Sequence, residues 1–510
     1  MSSTTEKPTT YGGWQAERMG VIGNLSGLGF ALVAAAAITS LAPIYQHSWS
    51  TLLISLPLSA TLLTLAYGRV LGLTADEWLL LAVRHQISVA TKRNLFLSGA
   101  FAPRSPRTGD QPMDLPGPLA RLRILDAADG QGGRLGVVYD PIANTYTAVS
   151  RVTYPGLALV DNERQNARVG GWAAFLRAQC KEDSPIVRIA VHQRSLPDDG
   201  AALRAFTARH TADEAPEVAK ASLAELMVTA GPVATIRETY LTIVLSAGKA
   251  RLAIKGAGGG QIGAAAVLVR EINAIQGSLT SAALHVEEWL NPRKVAQVIR
   301  TAYDPHSQLE FAAHNMAARD ADWKGALPGV DPALAGPSAA ETGWSVYRHD
   351  GAYTVSYQVR NWPQSQVFAT FMQPLLRPRQ NARRSLSLVY EPLGPSVARR
   401  DLAKERTKRD TARKVRAKTG RAESEDERRE AVTAREQDRA RAAGHGVSRF
   451  TGLIAVTVTD YEQLETACAE LQADASAAGI AVRRMWGGMD AGFAAAALPL
   501  AIGLPERRIF

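Results

Sequence analysis

Residues 19–68 are fifty consecutive positions without Asp, Glu, Lys or Arg, and only His47 among them titrates near neutral pH. Two apolar runs fill the stretch, VIGNLSGLGFALVAAAAITSL at 21–41 and TLLISLPLSATLLTLAY at 51–67. A helix crossing hydrocarbon needs roughly 17–25 apolar residues. The first run meets this and the second sits at its short end. The connection between them is polar, uncharged and carries Pro43. Neither run has the period-two alternation of a barrel strand, so helices are the reading that satisfies the backbone. The expectation is a transmembrane helical hairpin over 19–68, with a buried hairpin in a soluble protein as the alternative. A cleaved signal peptide fits less well, because Glu6 and Glu17 cancel Lys7 and Arg18 in what should be a basic leader.

Flanking charge predicts the orientation. Arg69, Arg84, Lys92, Arg93, Arg104 and Arg107 follow the second run, against Asp76, Glu77 and Asp110, and the connection holds no cation. The positive-inside rule then places a multi-pass protein in the cell (inner) membrane with both termini cytoplasmic. Gly23 and Gly27 form a GxxxG spacing that lets membrane helices pack closely, unless the spacing is chance in a Gly-rich helix.

The remaining chain reads as α+β: antiparallel strands with helices, in two soluble units. Residues 1–18 are read as a disordered N-terminus, 69–101 as a juxtamembrane helix and 102–117 as a linker. The helix would open on a capping box, Thr74 to Glu77. Residues 118–316 form the first unit, 317–340 a second linker and 341–510 the second unit. In the first unit, strands at 135–139 and 145–152 flank turn residues 140–144, and Asn291-Pro292 opens a helix. In the second, a hairpin crosses Asp350-Gly351, a helix is expected over 364–376, and strands at 384–391 and 450–458 should pair. The second unit repeats the strand and helix order of the first.

A charged insertion, 397–441, separates that last strand pair. It carries 16 basic and 10 acidic residues and holds most of the excess behind the net charge of +10. Residues 399–418 are basic and 423–438 lean acidic, which reads as a protruding helical hairpin, of coiled-coil kind, whose arms attract. Arg399, Arg400, Lys404, Arg406, Lys408, Arg409, Arg413 and Lys414 are the candidate partner-contact residues. No interleaved aromatics accompany them, which weighs against nucleic acid.

Signatures of chemistry are absent from the sequence. Gly248-Lys249 is followed by Ala250, so no phosphate loop forms. A GxGxxG spacing at 258–263 lacks a convincing strand leading into it. Asp198-Asp199 sits beside Pro197 and Gly200 and reads as a turn. The histidines lack metal spacing, and Cys180 and Cys468 stand alone. No catalytic residue, cofactor or metal is expected.

Several phrases resemble one family: GPLARL at 117–122, RSLPD at 194–198, VIRTAYDP at 298–305, RRSLSLVYEP at 383–392 and GHGVSRF at 444–450. They are similar to an actinobacterial membrane protein family of conjugative and integrative elements. Its pattern joins a PrgI-like transmembrane hairpin to the non-catalytic N-terminal domain of the CagE/TrbE/VirB-type secretion ATPase. The resemblance implies a non-enzymatic, membrane-anchored component of a type IV secretion or conjugation machine. It would dock a separate secretion ATPase and other transfer-channel subunits, with room for a homo-oligomer. A motor subunit with a degenerate nucleotide site and a nucleic-acid-binding membrane tether are the alternatives.

Overall fold

The computed structural model describes residues 27–46, 49–70, 73–99, 113–156, 160–197, 201–212, 214–230, 235–319, 327–377, 382–419 and 446–502. It adds isolated positions at 10–12, 14, 102, 379, 428, 432, 435, 439, 444 and 504. The charge-free stretch forms two helices, α1 (Gly27–Gln46) and α2 (Trp49–Tyr67), packed along each other. The transmembrane expectation is corrected here. Among the described residues no helix is long and apolar enough to cross a membrane. The described first helix starts at Gly27 rather than 21, contains Pro43 and ends in Tyr45-Gln46. The second contains Pro57, and its Ser59, Thr61 and Thr64 hydroxyls bond back to carbonyls of the preceding turn. The multi-pass location with both termini cytoplasmic falls with the hairpin. Gly27 opens α1, and Gly23 lies outside the described residues.

A short ribbon, β1 (Arg69–Val70) with β2 (Leu73–Thr74), leads into α3 (Ala75–Ala90). Thr74 is the N-cap residue, but its hydroxyl makes no capping bond, so the capping box does not form. After α3, β3 (Leu95–Leu97) joins the main sheet, which its three residues do not advertise.

The first half of the body runs β4 (Arg123–Ala128), β5 (Arg134–Asp140), β6 (Thr145–Thr153), α4 (Asn162–Gln179) and β7 (Ile186–Pro197). Next come α5 (Ala201–His210), α6 (Glu217–Ala230), β8 (Thr235–Ser246), α7 (Arg251–Gly256) and α8 (Gly260–Ser281). Then β9 (His285–Trp289), α9 (Pro292–Tyr303) and α10 (Ser307–Arg319) close it. The second half runs β10 (Ala339–Thr342), β11 (Tyr347–His349), β12 (Ala352–Asn361), α11 (Gln373–Leu376) and β13 (Arg383–Leu393). It ends with α12 (Pro395–Thr419), β14 (Val447–Val458), α13 (Leu464–Ala477), β15 (Ala481–Arg484) and α14 (Met489–Ala496).

The fold is α+β around one 13-stranded antiparallel sheet, in the order β3-β10-β11-β12-β14-β13-β7-β8-β6-β5-β4. Strand β9 pairs with β6 beyond the reach of β5, and β15 pairs with β12 beyond β11. Apart from β3, which pairs with β10 at the edge of the second half, each half has the same strand order and the same connections. The halves meet where equivalent strands, β7 and β13, pair antiparallel from Arg384↔Ser195 to Tyr390↔Ile189. That pairing relates the halves by an approximate two-fold axis normal to the sheet.

Period-two alternation sorts strand residues onto two faces. In the first half Leu135, Val137, Ala148, Leu241 and Ile243 meet α8 and Phe175 of α4. Val138, Val149 and Tyr240 point the other way, onto Val295 and Ile299 of α9. Gly136 is the strand residue under the start of α9, where a Cβ would lie 2.9 Å from Asn291 C. Asn291 caps that helix by accepting from Lys294 N.

Both stretches expected as linkers contain packed backbone. Met113 and Leu115 of the first stretch are buried in the core, as are Leu119 and Leu122 just after it. From Pro328 to Gly329 backbone carbonyls accept from Arg293, and the Gly336 carbonyl accepts from Arg300 at 2.6 Å. Residues 320–326 lie outside the described residues. A Cβ on Gly336 would sit 1.8 Å from the Asp114 carbonyl oxygen, so the two strands of backbone cross only because Gly is there. Gly336→Ala is expected to lower stability by about 1–3 kcal/mol, the usual cost of overpacking. A urea midpoint equal to wild type would show that the crossing is loose.

The expected helix over 364–376 shrinks to four residues, Gln373–Leu376. Pro363 and Pro374 bracket the segment, and Val367 instead pairs with Tyr11 in an isolated bridge.

Candidate functional site

Two features stand out: a charged arm at one end of β13 and a buried polar junction at the other. The arm is α12. Its root is locked to the body. Ala398 is buried, Asp401 pairs with Arg449 of β14, and Glu182 accepts from the Ser396 backbone N–H at 2.9 Å. Beyond Asp401 the helix leaves the sheet. Arg399, Arg400, Lys404 and Arg406 are exposed. Lys408, Arg409, Arg413 and Lys414 continue the helix, with side chains outside the described residues. The returning arm is described only at Arg428, Val432, Arg435 and Arg439, each helical and exposed. The expected attraction between the arms falls on residues outside this set. Strands β13 and β14 pair over eleven positions, from Arg383↔Thr457 to Leu393↔Val447, so the sheet is continuous beneath the insertion.

At the junction, Arg194 of β7 lies 2.6 Å from Glu238 of β8 and donates to Thr301 Oγ1 at 3.1 Å and to the Val298 carbonyl at 3.3 Å. Tyr240 donates to Glu238 at 2.9 Å. Burial alone would raise the Glu238 carboxyl, but the charges of Arg194 and Arg151 outweigh it and hold the group below its usual range. Arg194 is raised, because the Glu238 charge outweighs the burial that would lower it. Arg383 reaches the Thr301 carbonyl at 3.4 Å and the Pro305 carbonyl at 2.5 Å. Burial, with Arg194 nearby, pushes it down to about 10. On the opposite face Arg384 and Arg379 converge on Asp474 of α13. Charge-assisted bonds of this kind fix geometry strongly once desolvated.

These contacts join β7, β8, α9, β13 and α13. The phrases RSLPD, VIRTAYDP and RRSLSLVYEP thus meet at one place, although 194 and 384 are far apart in sequence. The C-terminal segment adds a strap: Thr242 donates to the Pro499 carbonyl at 2.5 Å and Arg188 to the Ala501 carbonyl at 2.7 Å. The junction is packed rather than open. A cavity of about 10 Å³ beside Gln193, Ser195 and Arg384 has room for one water at most.

The other sequence candidates do not assemble. Gly258, Gly259 and Gly260 all have positive φ, at 101°, 73° and 57°, and link α7 to α8. That is a helix-to-helix turn, not the strand-to-helix turn that cradles a dinucleotide. Asp198-Asp199 lies outside the described residues. Cys180 and Cys468 are free. Among the described residues, no group of three His, Cys, Asp or Glu side chains is placed to hold a metal ion. Sequence reasoning missed the Arg194–Glu238 cluster. Its signal is weak: β7 carries Arg188 as well as Arg194, and β8 carries Arg237 as well as Glu238, so the two buried charges do not stand out from their neighbours. No family model and no curated protein matches the sequence.

Proposed function

We propose that the chain is a non-enzymatic assembly subunit of a conjugation or type IV secretion machine, whose body docks a separate ATPase and whose α12 arm contacts a partner subunit. The observation that carries this reading is the arm itself. It is a 25-residue helix with ten basic and three acidic residues, rooted in the body by Ala398 and Asp401 and exposed at Lys404, Arg406 and Asp410. Exposed charge contributes little to the stability of its own domain, about 0–1 kcal/mol for each pair. A long projecting helix with that composition suits recognition better than support. The sequence phrases support the machine, and the wide 13-stranded sheet supports a scaffold.

The test replaces residues 403–441 with a short Gly/Ser linker and keeps the root. The body is expected to melt within a few degrees of wild type, because β13 and β14 remain paired. Capture of partner subunits and conjugative transfer are expected to be lost. Unchanged capture and transfer would show the arm to be dispensable. A melting point about 10 °C lower would show that the arm packs on the core.

A further inference from the structure

The two-fold relation between the halves gives α12 a counterpart. The helical excursion α5–α6 occupies the connection between β7 and β8, just as α12 occupies the connection between β13 and β14. Because β7 and β13 are antiparallel, the two excursions leave opposite ends of the central strands. The eleven residues of β13, at ~3.3 Å each, separate them by roughly 35 Å.

Their compositions are complementary. Residues 198–234 contain six acidic and three basic residues, whereas α12 contains ten basic and three acidic. Glu214, Glu217 and Glu225 are exposed. So are Phe206 (59%) on α5 and Val218 (79%) and Leu226 (63%) on α6, apolar side chains left open to solvent. Long Lys and Arg side chains suit such a surface, since their aliphatic stems cover apolar groups while their heads reach carboxylates.

We propose that α12 of one copy docks on the α5–α6 excursion of a second copy, head to tail. This rests on the reading of α12 as a contact arm and names its partner. Two different patches are used, so the contact is heterologous and generates a ring or an open filament rather than a closed dimer. The opposite placement of the excursions leaves each copy one free basic and one free acidic end. Contacts built on exposed charges weaken as salt rises.

The test uses the full chain in sedimentation velocity across a concentration series, at low and high salt. Wild type is expected to form species larger than a dimer that dissociate at high salt. Reversing the arm (R399E, R400E, K404E, R406E) is expected to give monomer, as is reversing the excursion (E214K, E217K, E225K). Combining both reversals is expected to restore assembly, which a merely misfolded variant cannot do, and far-UV circular dichroism checks each fold. A wild type that stays monomeric, or an assembly that either single reversal leaves intact, overturns the proposal. A monomeric wild type that binds duplex DNA through the arm, lost on reversal, overturns it in favour of nucleic acid. The same arm variant is scored for capture of other subunits. Capture lost with assembly unchanged sinks only the self-docking, whereas capture and assembly both unchanged sink the contact-arm reading as well.

Discussion

Glu238→Ala is expected to destabilise the protein by about 3–5 kcal/mol, the range for removing one partner of a buried ion pair. Arg194 is 5% exposed, and the carboxylate 2.6 Å away is its only acidic partner among the described contacts. Without it a guanidinium stays charged in the core, held by neutral groups: Thr301 Oγ1, the Val298 carbonyl and Tyr240. Arg383 lies close enough for the two cations to oppose each other, so the loss falls on both. The damage should spread to the contact between halves, because Arg194 sits on β7 directly opposite Ser385 of β13. Arg194→Met combined with Glu238→Leu is expected to recover most of the loss, since replacing a whole buried pair by apolar residues is often near neutral. Urea denaturation of wild type, single and double variants reads both effects. A single variant within about 1 kcal/mol of wild type would show that water reaches the cluster and screens it.

How much of this was legible in the sequence depends on how local the determinant is. Turns were legible. Asp140 Oδ1 accepts from the Ile142 and Ala143 backbone N–H groups, and Asn144 takes a φ of 51°. Asp350 and Gly351, at φ 37° and 79°, form the tight connection between β11 and β12, as a two-residue hairpin loop demands. The start of α9 was legible from Asn291-Pro292 for the same reason. The joining of two units into one sheet was not, because β7 and β13 are about 190 residues apart and neither carries a mark of its partner. The repeat of strand and helix order was visible, but not that equivalent strands pair.

The charge-free stretch shows a different failure. Freedom from charge does not by itself make a helix long and apolar enough to cross a membrane, and α1, with Pro43, and α2, with Pro57, both fall short of that. The Arg194–Glu238 cluster shows a third. In a sheet covered on both faces, alternating polar positions do not point to water. Arg194 and Glu238 occupy such positions, and only the packing of α9 above them turns an ordinary alternating charge into a buried one.

The same covering predicts a response to acid. His192 is fully buried beside Tyr240, with ring centroids 6.3 Å apart, and neither ring nitrogen has a hydrogen-bond partner among the described residues. Burial, reinforced by the Arg194 charge and opposed by Glu238, pushes it down to about 3. Burial likewise pushes His349 down to about 4, against the Tyr303 carbonyl and Asp304. Both groups are neutral in the fold while an unfolded histidine takes up a proton below about pH 6.5. Between these values the unfolded chain binds more protons, so stability rises with pH and falls on acidification. Each histidine removes about 1.4 kcal/mol for every pH unit below about 6.5, down to its folded value. The depressed carboxyls of Glu238 and Asp474 act in the same direction, but only once the pH drops below the ordinary carboxylate range. The window from pH 6.5 to 5 therefore lies above those depressed carboxyls, and Asp350, which burial holds above its ordinary value, acts in the opposite direction. Urea midpoints at pH 7, 6, 5.5 and 5 are expected to fall progressively. His192→Phe keeps a ring of similar size, leaves no hydrogen bond unmade and removes one of the two titrations, so its midpoints should fall about half as steeply. A slope identical to wild type would mean that His192 is protonated in the fold and that the face beneath α9 is open to water.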